Sequence, residues 1–338
     1  MDRLSDYDYV LPESSIAQAP LEDRSASKLL WLNRETGKTS HHLFNEIPKI
    51  LRPGDLLVLN ETRVTAVRLF GSRTSGGKVE VLLLRELVPG EYLALARPAK
   101  RLLVGTTVEF GGKLRAAVSE VRAEGQRVLR FEPVDNLDGL LSCRGEIPLP
   151  PYIHTQLDDP NRYQTVYSAS GGSAAAPTAG LHFTIELLEE LRHLGLGTAT
   201  ISLDVGIDTF RPVVAEDLAQ HVMHGEHYRI SEKTADAVAG CEGRIVAVGT
   251  TTVRALESAA EGKKRRIRAG SGESKLFIRP GFQFRVVDGM FTNFHLPRTT
   301  MLMMISALVG KEAVFSAYET ALSQDYRFLS FGDSMLIL

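Results

Sequence analysis

Between residues 66 and 146 the sequence has a repeated pattern that constrains the fold more than any other feature. Short strand-like stretches are separated by turns at roughly 12-residue spacing, which is typical of a small β-barrel or sandwich. The candidate strands are Lys78–Leu84, Glu91–Ala96, Thr106–Phe110, Lys113–Val121 and Arg127–Phe131, and the turns are Gly76-Gly77, Pro89-Gly90, Gly111-Gly112 and Glu124-Gly125. The chain has 338 residues, so this block leaves room for a larger second domain.

The sequence on either side of this block has an α/β pattern. Strand candidates at 198–205 and 244–249 alternate with helix candidates that begin at Thr184, Ser231 and Thr250. Two further helices are expected near the C-terminus, one between Thr299 and Gly310 and one ending near 324. We therefore predict an α/β fold, in which a discontinuous α/β catalytic domain (1–65 and 147–338) is interrupted by an inserted small antiparallel β-barrel domain (66–146).

Composition excludes several classes of protein. The net charge of −2 gives no global basic field, so any contact with nucleic acid requires a local patch. Two cysteines, Cys143 and Cys241, exclude a disulfide framework and a cysteine-rich zinc site. The N-terminus lacks the apolar core of a signal peptide, and the longest apolar run, near 302–309, is too short to span a bilayer. We expect a cytoplasmic protein that does not associate with membranes.

A loop of small residues is the first candidate ligand site. Residues 173–183 read Ser-Ala-Ala-Ala-Pro-Thr-Ala-Gly-Leu-His-Phe and lead into the helix that begins at Thr184. Small residues let the backbone approach a ligand, and a helix N-terminus offers free N–H groups to an anion. The candidate binding residues are Pro177, Thr178, Ala179 and Gly180, with His182 as an acid–base candidate. The alternative is a tight turn needed only for packing.

Two further junctions place polar groups at the ends of strands. Gly249, Thr250 and Thr251 follow a buried strand and open a helix, a geometry that α/β proteins use for phosphates and carboxylates. This junction lacks the pattern of a Walker loop or a dinucleotide fingerprint, and it also fits simple capping.

Asn293 and His295 precede a helix start marked by proline. Their alternative is an asparagine turn with a surface histidine.

Three histidines lie at a spacing of three residues, at His221, His224 and His227. They resemble metal ligands, but they lack the i, i+4 pairing of helical zinc sites and a clear fourth ligand, so we expect no metal. Acid–base or hydrogen-bonding roles suit His224 and Glu226 better.

A basic run lies in a loop flanked by glycines, and its cations suit contact with a nucleic-acid backbone. The same pattern fits a solvated loop. The candidate nucleic-acid-binding residues in this run are Lys263, Lys264, Arg265, Arg266 and Arg268.

Eleven segments, in this order along almost the whole chain, resemble the S-adenosylmethionine:tRNA ribosyltransferase-isomerase family of queuosine biosynthesis. They are Leu11–Glu13, Ile16–Gln18, Pro20–Leu30, Pro53–Val64, Gly76–Leu83, Gly145–Ile153, Arg162–Tyr167, Ala175–Thr184, Val248–Glu257, Thr292–Pro297 and Tyr326–Asp333. The most specific of them is Ala175-Ala-Pro-Thr-Ala-Gly-Leu-His-Phe-Thr.

The resemblance implies an unusual reaction. S-adenosylmethionine serves as a ribosyl donor, and the acceptor is the aminomethyl group of 7-aminomethyl-7-deazaguanine at the tRNA wobble position. Adenine and methionine leave, and epoxyqueuosine remains in the tRNA. The resemblance further implies an α/β domain with an inserted barrel and no cofactor beyond S-adenosylmethionine as co-substrate. The partner is the tRNA anticodon stem-loop, and we expect a monomer.

This chemistry assigns roles to the candidate residues. A base must reach the acidic C5′ hydrogens beside the sulfonium, and the methionine carboxylate needs a cradle, for which Gly249–Thr251 with Arg254 is suited. The acid–base candidates are His182, His224, Glu226 and His295. Asn60 and Arg63 are further candidates for the pocket. Four other residues either line the pocket or form structural hydrogen bonds: Arg162, Tyr163, Gln164 and Asp333.

The chain departs from the family pattern at one motif. Where the family shows His-Val-Gly-x-Gly-Thr-Phe, this sequence has Asp204-Val-Gly-Ile-Asp208-Thr-Phe. Asp204 has two interpretations. Either it replaces one general base with another, which makes Asp204 a further catalytic candidate, or the change removes a neutral hydrogen-bond donor. The alternatives to the family reaction are therefore a protein of the same fold with an altered acceptor and a non-catalytic tRNA-binding protein.

Overall fold

The structure is a computed structural model that describes residues 3–206, 215–223, 225–262 and 264–338. The chain divides into two compact units. The α/β unit comprises Met1–Thr62, Pro150–Ser170 and Ala176–Leu338, and the barrel unit comprises Arg63–Leu149 and Gly171–Ala175. The insertion therefore runs from 63 to 149 rather than from 66 to 146, and the short segment 171–175 also belongs to it.

Strands and helices are numbered in chain order. The strands are β1 (Lys28–Leu32), β2 (Thr39–Leu43), β3 (Leu56–Asn60), β4 (Thr62–Val64), β5 (Val67–Arg73), β6 (Lys78–Val88), β7 (Glu91–Arg97), β8 (Thr107–Glu109), β9 (Arg115–Val121), β10 (Gln126–Glu132), β11 (Ser170–Ser173), β12 (Gly197–Leu203), β13 (Glu226–Ile230), β14 (Ile245–Val248), β15 (Gly270–Ser274), β16 (Gly289–Asn293) and β17 (Ser334–Ile337). The helices are α1 (Leu137–Arg144), α2 (Ile185–His193), α3 (Glu232–Ala239), α4 (Thr250–Ser258), α5 (Thr300–Val309) and α6 (Lys311–Ser323).

A mixed sheet organises the α/β unit, and its described strands follow the order β15-β13-β12-β3-β14-β16-β17-β1-β2. The centre is parallel, since β3 pairs in parallel with β12 and β14, and β14 pairs in parallel with β16. Every residue of β3, β14 and β16 is buried. Strands covered on both faces are apolar throughout, which explains the runs Leu-Leu-Val-Leu and Ile-Val-Ala-Val.

Hydroxyl side chains start three of the helices. The hydroxyls of Thr184, Ser231 and Thr299 accept hydrogen bonds from backbone N–H groups three residues later, at 3.1, 3.1 and 3.4 Å. Each bond satisfies a donor of the first turn that has no acceptor within the helix. These three helix starts, predicted from the sequence, are confirmed.

Three phenylalanines pack edge to face in the core of the α/β unit. The rings of Phe44 and Phe183 lie 4.9 Å apart, those of Phe183 and Phe291 lie 5.7 Å apart, and all three side chains are fully buried. The leucines on one face of α2 pack into the same cluster. Phe183 directly follows the small-residue loop, so this core fixes the end of that loop.

The barrel unit contains a closed antiparallel barrel in the order β10-β7-β6-β5-β8-β9. The predicted fold, an α/β domain with an inserted antiparallel β-barrel, is confirmed. Strand β5, which carries Gly71 in its middle, was not predicted from the sequence. A Cβ at Gly71 would lie 2.5 Å from the carbonyl oxygen of Glu109 on β8, so the close approach of these two strands requires glycine.

Helices α5 and α6 follow one another through Gly310, whose φ of 92° favours glycine. Leu302, Met303 and Ile305 on α5 are buried in the α/β unit. None of the described helices alone has the length and apolar composition needed to cross a membrane, whereas α5 and α6, bent by 113°, meet that test only as a pair.

The aromatic core of the barrel predicts that a Phe→Ala substitution lowers stability by different amounts at two positions. Phe131 is fully buried between Tyr92 and Phe110, with ring centroids at 5.7 and 5.8 Å, whereas Phe70 is 57% exposed. We expect Phe131→Ala to lower the free energy of unfolding by about 3–5 kcal/mol, because it leaves a cavity. The matched control Phe70→Ala should cost less than about 1 kcal/mol. Urea unfolding followed by circular dichroism measures both, and equal losses would contradict this packing.

Candidate functional site

A cavity of about 290 Å³ in the α/β unit collects residues from distant parts of the sequence. The small-residue loop, the N-terminus of α4 and the end of β16 meet there, because β14 and β16 are parallel neighbours whose carboxyl ends lie at one sheet edge. The lining residues are Tyr152, Ala176, Pro177, Thr178, Ala179, Val205, Gly249, Thr250, Thr251, Thr292, Asn293, His295, Leu296, Pro297, Thr299, Met301, Leu329 and Ser330. Three candidate motifs that the sequence offered separately therefore form one site.

The N-terminus of α4 faces this cavity through Thr250 and Thr251. Gly249 turns the chain from β14 into the helix with φ 91° and ψ 154°, and its N–H donates to the carbonyl of Phe291 at 2.8 Å. A residue with a Cβ would be strained at this φ. The N–H groups of the first helical turn have no acceptor within the helix, so the positive end of the helix dipole is directed at the cavity.

His182 lies behind the cavity wall and is 4% exposed. Its Nδ1 lies 2.8 Å from the Ser27 hydroxyl, and its Nε2 lies 3.2 Å from the amide nitrogen of Asn293. That amide nitrogen also donates to the Leu329 carbonyl, which can only accept, so the orientation of Asn293 is fixed. Nε2 is thus an acceptor, and the proton of the neutral ring is on Nδ1. Burial, with the positive charges of Arg327 and Arg24, lowers the pKa of His182 to about 3.

Both ring nitrogens of His182 are occupied, so its geometry serves positioning rather than proton transfer to a ligand. The ring stacks on Phe44 at 5.1 Å, which holds its plane. The oxygen of the Asn293 amide accepts from the Thr178 hydroxyl at 3.0 Å. The chain Ser27–His182–Asn293–Thr178 therefore fixes two polar groups that line the cavity.

His295 lines the cavity directly. Its Nε2 lies 2.7 Å from the Thr292 hydroxyl, and burial lowers the pKa of His295 to about 3. Its backbone is held on both sides, because its N–H donates to the Tyr318 hydroxyl and its carbonyl accepts from the Tyr9 hydroxyl. At neutral pH this ring is uncharged and can exchange hydrogen bonds but does not carry a positive charge.

Asp204 directly precedes Val205, which lines the cavity. The residue is exposed by accessible area, yet enough protein surrounds its carboxyl for desolvation to raise the pKa. Its Oδ1 accepts from the Thr62 hydroxyl at 3.4 Å, and its N–H pairs with the His227 carbonyl at 3.0 Å. Asp208 and His224 lie outside the described residues.

Glu226 and Arg254 do not line the cavity, contrary to our expectation. They form a buried ion pair with each other, and Arg254 also donates to the Ser274 carbonyl at 3.1 Å. This pair connects β13, α4 and β15. Its carboxylate and guanidinium neutralise each other, so in this structure Arg254 is a partner of Glu226 rather than part of the α4 anion cradle.

Three other candidates also lie away from the lining. The Asn60 side chain donates to the Leu203 carbonyl at 3.1 Å and accepts from the Leu203 N–H at 3.0 Å, which clamps β3 to the end of β12. Asn60 still contacts the site through the Thr251 hydroxyl at 3.5 Å. Arg63 is exposed on β4. Gly180 packs under Tyr167, whose hydroxyl lies 1.9 Å from where a Cβ would be.

Tyr163 and Asp333, which only the resemblance suggested as site residues, make contacts typical of a structural role. Tyr163 is fully buried against Phe331, with ring centroids at 5.8 Å. Asp333 accepts backbone N–H bonds from Lys28 at 2.9 Å and from Arg327 at 2.7 Å. Gln164 is buried, and its carbonyl accepts from Arg24.

The basic loop is partly neutralised. Arg265 pairs with Asp288 at 2.8 Å and donates to the Cys241 carbonyl, and Arg268 lies 3.6 Å from Glu261. Lys264 and Arg266 are exposed, and Lys263 lies outside the described residues. Within the ranges that the structure describes, no three His, Cys, Asp or Glu side chains come together as a metal site.

One wall of the cavity was not predicted from the sequence. Tyr152 and Ser330 meet there, with 2.8 Å between their hydroxyl oxygens, and burial raises the pKa of Tyr152 to about 12. Leu296, Pro297 and Met301 supply apolar surface. These residues lie in or beside segments that carry the family resemblance, but a tyrosine or methionine in sequence gives no sign that it faces a cavity rather than the core.

Comparison with known proteins identifies the class. The family model described as "Queuosine biosynthesis protein" matches residues 4–337, and the chain belongs to this family. The resemblance noted in the sequence is thereby confirmed.

Relatives match along the full chain. A protein of Carboxydothermus hydrogenoformans is 48% identical over 99% of this chain and 100% of its own length, and one of Gloeobacter violaceus is 50% identical over 100% of this chain and 96% of its own. Both are named S-adenosylmethionine:tRNA ribosyltransferase-isomerase. The crystal structure of an S-adenosylmethionine tRNA ribosyltransferase from Thermotoga maritima is similar with a TM-score of 0.56, at 37% identity over 98% of this chain and 100% of that one.

The low pKa of His182 predicts a pH dependence of stability. Its pKa is about 3 in the folded chain and about 6.5 in an unfolded one, so between these values the unfolded state binds more protons. The free energy of unfolding should fall as the pH is lowered from about 7 to about 5, with about 2 kcal/mol of that fall due to His182. His182→Gln should therefore lose about 2 kcal/mol less than the native chain over this interval. Urea titrations measure the difference, and parallel pH profiles would contradict a neutral buried His182.

Proposed function

We propose that this chain transfers and isomerises the ribosyl moiety of S-adenosylmethionine onto 7-aminomethyl-7-deazaguanine at the tRNA wobble position, with release of adenine and methionine. The observation that carries this proposal is the convergence of the small-residue loop, the α4 N-terminus and the end of β16 on one cavity. The names of the full-length relatives support the same reaction.

The cavity has features that suit S-adenosylmethionine. Its volume of about 290 Å³ is at the lower end of the range for small-molecule sites. Apolar residues such as Leu296 and Met301 offer a surface for adenine, while the α4 N-terminus offers N–H groups to the methionine carboxylate. Ala176 and Ala179 leave the backbone accessible to the ligand. In this proposal Thr250 and Thr251 are carboxylate ligands, and Thr178 and Asn293 orient the nucleoside.

Asp204 is the base in the proposed mechanism. A base removes a C5′ proton beside the sulfonium, and a carboxylate whose pKa is raised accepts a proton more readily than an ordinary one. Asp204 is next to the cavity-lining Val205 rather than in the lining itself. His182 and His295 are less suitable as the base, because both ring nitrogens of His182 are engaged and the low pKa of His295 makes it a weak base. His295 remains suited to hydrogen bonding with the departing adenine or with the ribose.

The partners in this proposal are S-adenosylmethionine and the anticodon stem-loop of a tRNA. No cofactor beyond S-adenosylmethionine is included, since proton transfers and the loss of adenine and methionine account for the bonds made and broken. We propose a cytoplasmic monomer, which fits a reaction on tRNA.

A turnover assay tests the function. Purified protein, S-adenosylmethionine and tRNA carrying 7-aminomethyl-7-deazaguanine should give free adenine, followed by chromatography, and epoxyqueuosine, detected by mass spectrometry of the digested tRNA. Adenine release with a product on a different nucleoside would favour an altered acceptor. Binding of both ligands without adenine release would favour a non-catalytic tRNA-binding protein. Asp204 and Asp208 motivate these two alternatives.

The carboxylate cradle predicts an effect of one backbone N–H. Thr250→Pro removes that donor at the first helical position, where proline is tolerated, and ψ 154° at Gly249 is compatible with a following proline. We expect the affinity for S-adenosylmethionine to fall about tenfold to a hundredfold, as for a lost hydrogen bond to a charged group. Thr250→Ala keeps the N–H and should bind within about threefold of the native chain. Isothermal titration calorimetry measures both, and equal affinities of the two variants would exclude this cradle.

The proposed base predicts a loss of rate without a loss of binding. Asp204→Asn should lower kcat for adenine release by about 100-fold or more while the affinity for S-adenosylmethionine stays the same. Asp204→His, which restores the residue of the family pattern, should regain most of the rate. Undiminished turnover of Asp204→Asn would assign the base to another residue.

A further inference from the structure

Three arginines line a second, smaller cavity of the α/β unit. Arg24, Arg162 and Arg327, here called the arginine cluster, meet there with Ser27 and His182. The cavity measures about 20 Å³, which holds a group the size of a water molecule or a phosphate oxygen but not a nucleoside. Ser330 lines both this cavity and the larger one, so the two are neighbours, with His182 lining the smaller cavity and its hydrogen-bond partner Asn293 lining the larger one.

The arginine cluster is held in place by carbonyl groups rather than by carboxylates. Arg24 donates to the Gln164 carbonyl at 3.0 Å, and Arg327 donates to the Ala19 carbonyl at 3.4 Å. Arg162 donates to the carbonyls of Leu21 and Glu22. These bonds use a minority of the five N–H donors on each guanidinium, and they orient the side chains without neutralising them.

Close ion pairs to carboxylates are sparse in the cluster. Among the described residues, Arg24 and Arg162 form no ion pair within 4 Å, and Arg327 reaches only Asp333, at 3.9 Å. Asp23 and Asp159 oppose the charges of Arg162 and Arg24 only from beyond 4 Å, and each accepts the N–H of its own 3₁₀ turn, at 2.8 and 2.9 Å.

The charges of the cluster repel one another and affect their neighbours. Burial and then the charge of Arg162 lower the pKa of Arg24, although Asp159 partly opposes this. Arg327 and Arg24 contribute to the low pKa of His182. The Nε of Arg162 is buried without a hydrogen-bond partner in the part of the chain that the structure describes. An anion bound to the cluster would relieve this repulsion.

We propose that the arginine cluster binds a backbone phosphate of the tRNA substrate beside the nucleotide that enters the larger cavity. The inference rests on the proposed function. Guanidinium groups bind phosphate through paired N–H donors, and three of them converging on a small opening suit an anion with several acceptor oxygens. The position fits, because Ser330 lines both cavities, so a nucleotide whose base reaches the larger cavity brings a flanking phosphate near the smaller one.

The cluster suits this role better than the basic loop does. In the loop, Arg265 is paired with Asp288 and Arg268 lies beside Glu261, so two of its cations are already balanced. A carboxylate of S-adenosylmethionine is the other anion in the reaction, but in our proposal the α4 N-terminus receives it in the larger cavity.

Salt-dependent binding tests the proposal. Each phosphate contact contributes about one unit to the slope of log K against log salt concentration. Because the cluster holds one phosphate, we expect the double variant Arg24→Gln, Arg162→Gln to lower the slope for tRNA by about one and each single variant by less, with the affinity of the double variant at low salt reduced about tenfold or more. Fluorescence anisotropy with labelled tRNA measures this. The affinity for S-adenosylmethionine should stay within about twofold of the native value.

Matched variants separate charge placement from net charge and from misfolding. Arg52→Gln with Arg192→Gln makes the same charge change at two exposed arginines of the α/β unit and should leave affinity and slope closer to native. Arg24→Lys with Arg162→Lys keeps the charges and should retain most of the slope. Thermal unfolding of each variant verifies that it is folded.

Three results would overturn the proposal. The first is a salt slope equal to that of the native protein in a folded Arg24→Gln, Arg162→Gln variant, when the native protein binds tRNA and releases adenine. The proposed function would then stand, and only the phosphate site would be excluded. The second is a loss of affinity for S-adenosylmethionine with unchanged tRNA binding, which would make the cluster a carboxylate site. The third is a slope that falls only for Lys264→Gln with Arg266→Gln, which would place docking on the basic loop. If the native protein neither binds tRNA nor releases adenine, the proposed function fails as well.

Discussion

The parallel pairing of β14 between β3 and β16 is the constraint on which the rest of the site depends. Hydrogen bonds and burial on both faces fix these three strands, so their carboxyl ends lie at one edge of the sheet. Gly249 leaves β14 at that edge, and its N–H bond to the Phe291 carbonyl ties the start of α4 to β16. The N–H groups of α4 and the side chain of Asn293 therefore face the same cavity with little freedom to separate.

A second fixed element is the buried polar chain from Ser27 through His182 to Asn293 and Thr178. Each bond in it joins segments far apart in sequence, with a separation of 155 positions from Ser27 to His182 and of 111 from His182 to Asn293. A neutral imidazole suits this place, because it donates on one side and accepts on the other without carrying charge into the core. His182 also lines the smaller cavity together with the arginine cluster, while its partner Asn293 lines the larger one.

Several parts of this arrangement were predictable, and the reasons are local. Hydroxyl caps and glycine stops predict α2, α3 and α5, and glycine turns predict five of the barrel strands. The fate of Glu226 and Arg254 was not predictable, because a carboxylate and a guanidinium 28 residues apart give no sign that they pair with each other. The same holds for His182, whose two ring partners come from outside its own loop. Tyr152 and Ser330 could not be predicted as cavity residues, because tertiary packing decides whether their side chains face the cavity or the core.

The sequence by itself determined the order of elements, the inserted barrel and the family, because periodicity, caps, turns and motifs are written in neighbouring residues. It also singled out the small-residue loop, the α4 start and Asn293. Only the tertiary structure decided that these three share one cavity, that both ring nitrogens of His182 are engaged, and that Arg24, Arg162 and Arg327 line a second cavity beside the first. Those outcomes depend on which distant groups become neighbours, since hydrogen bonds, ion pairs and desolvation act through space and not along the chain.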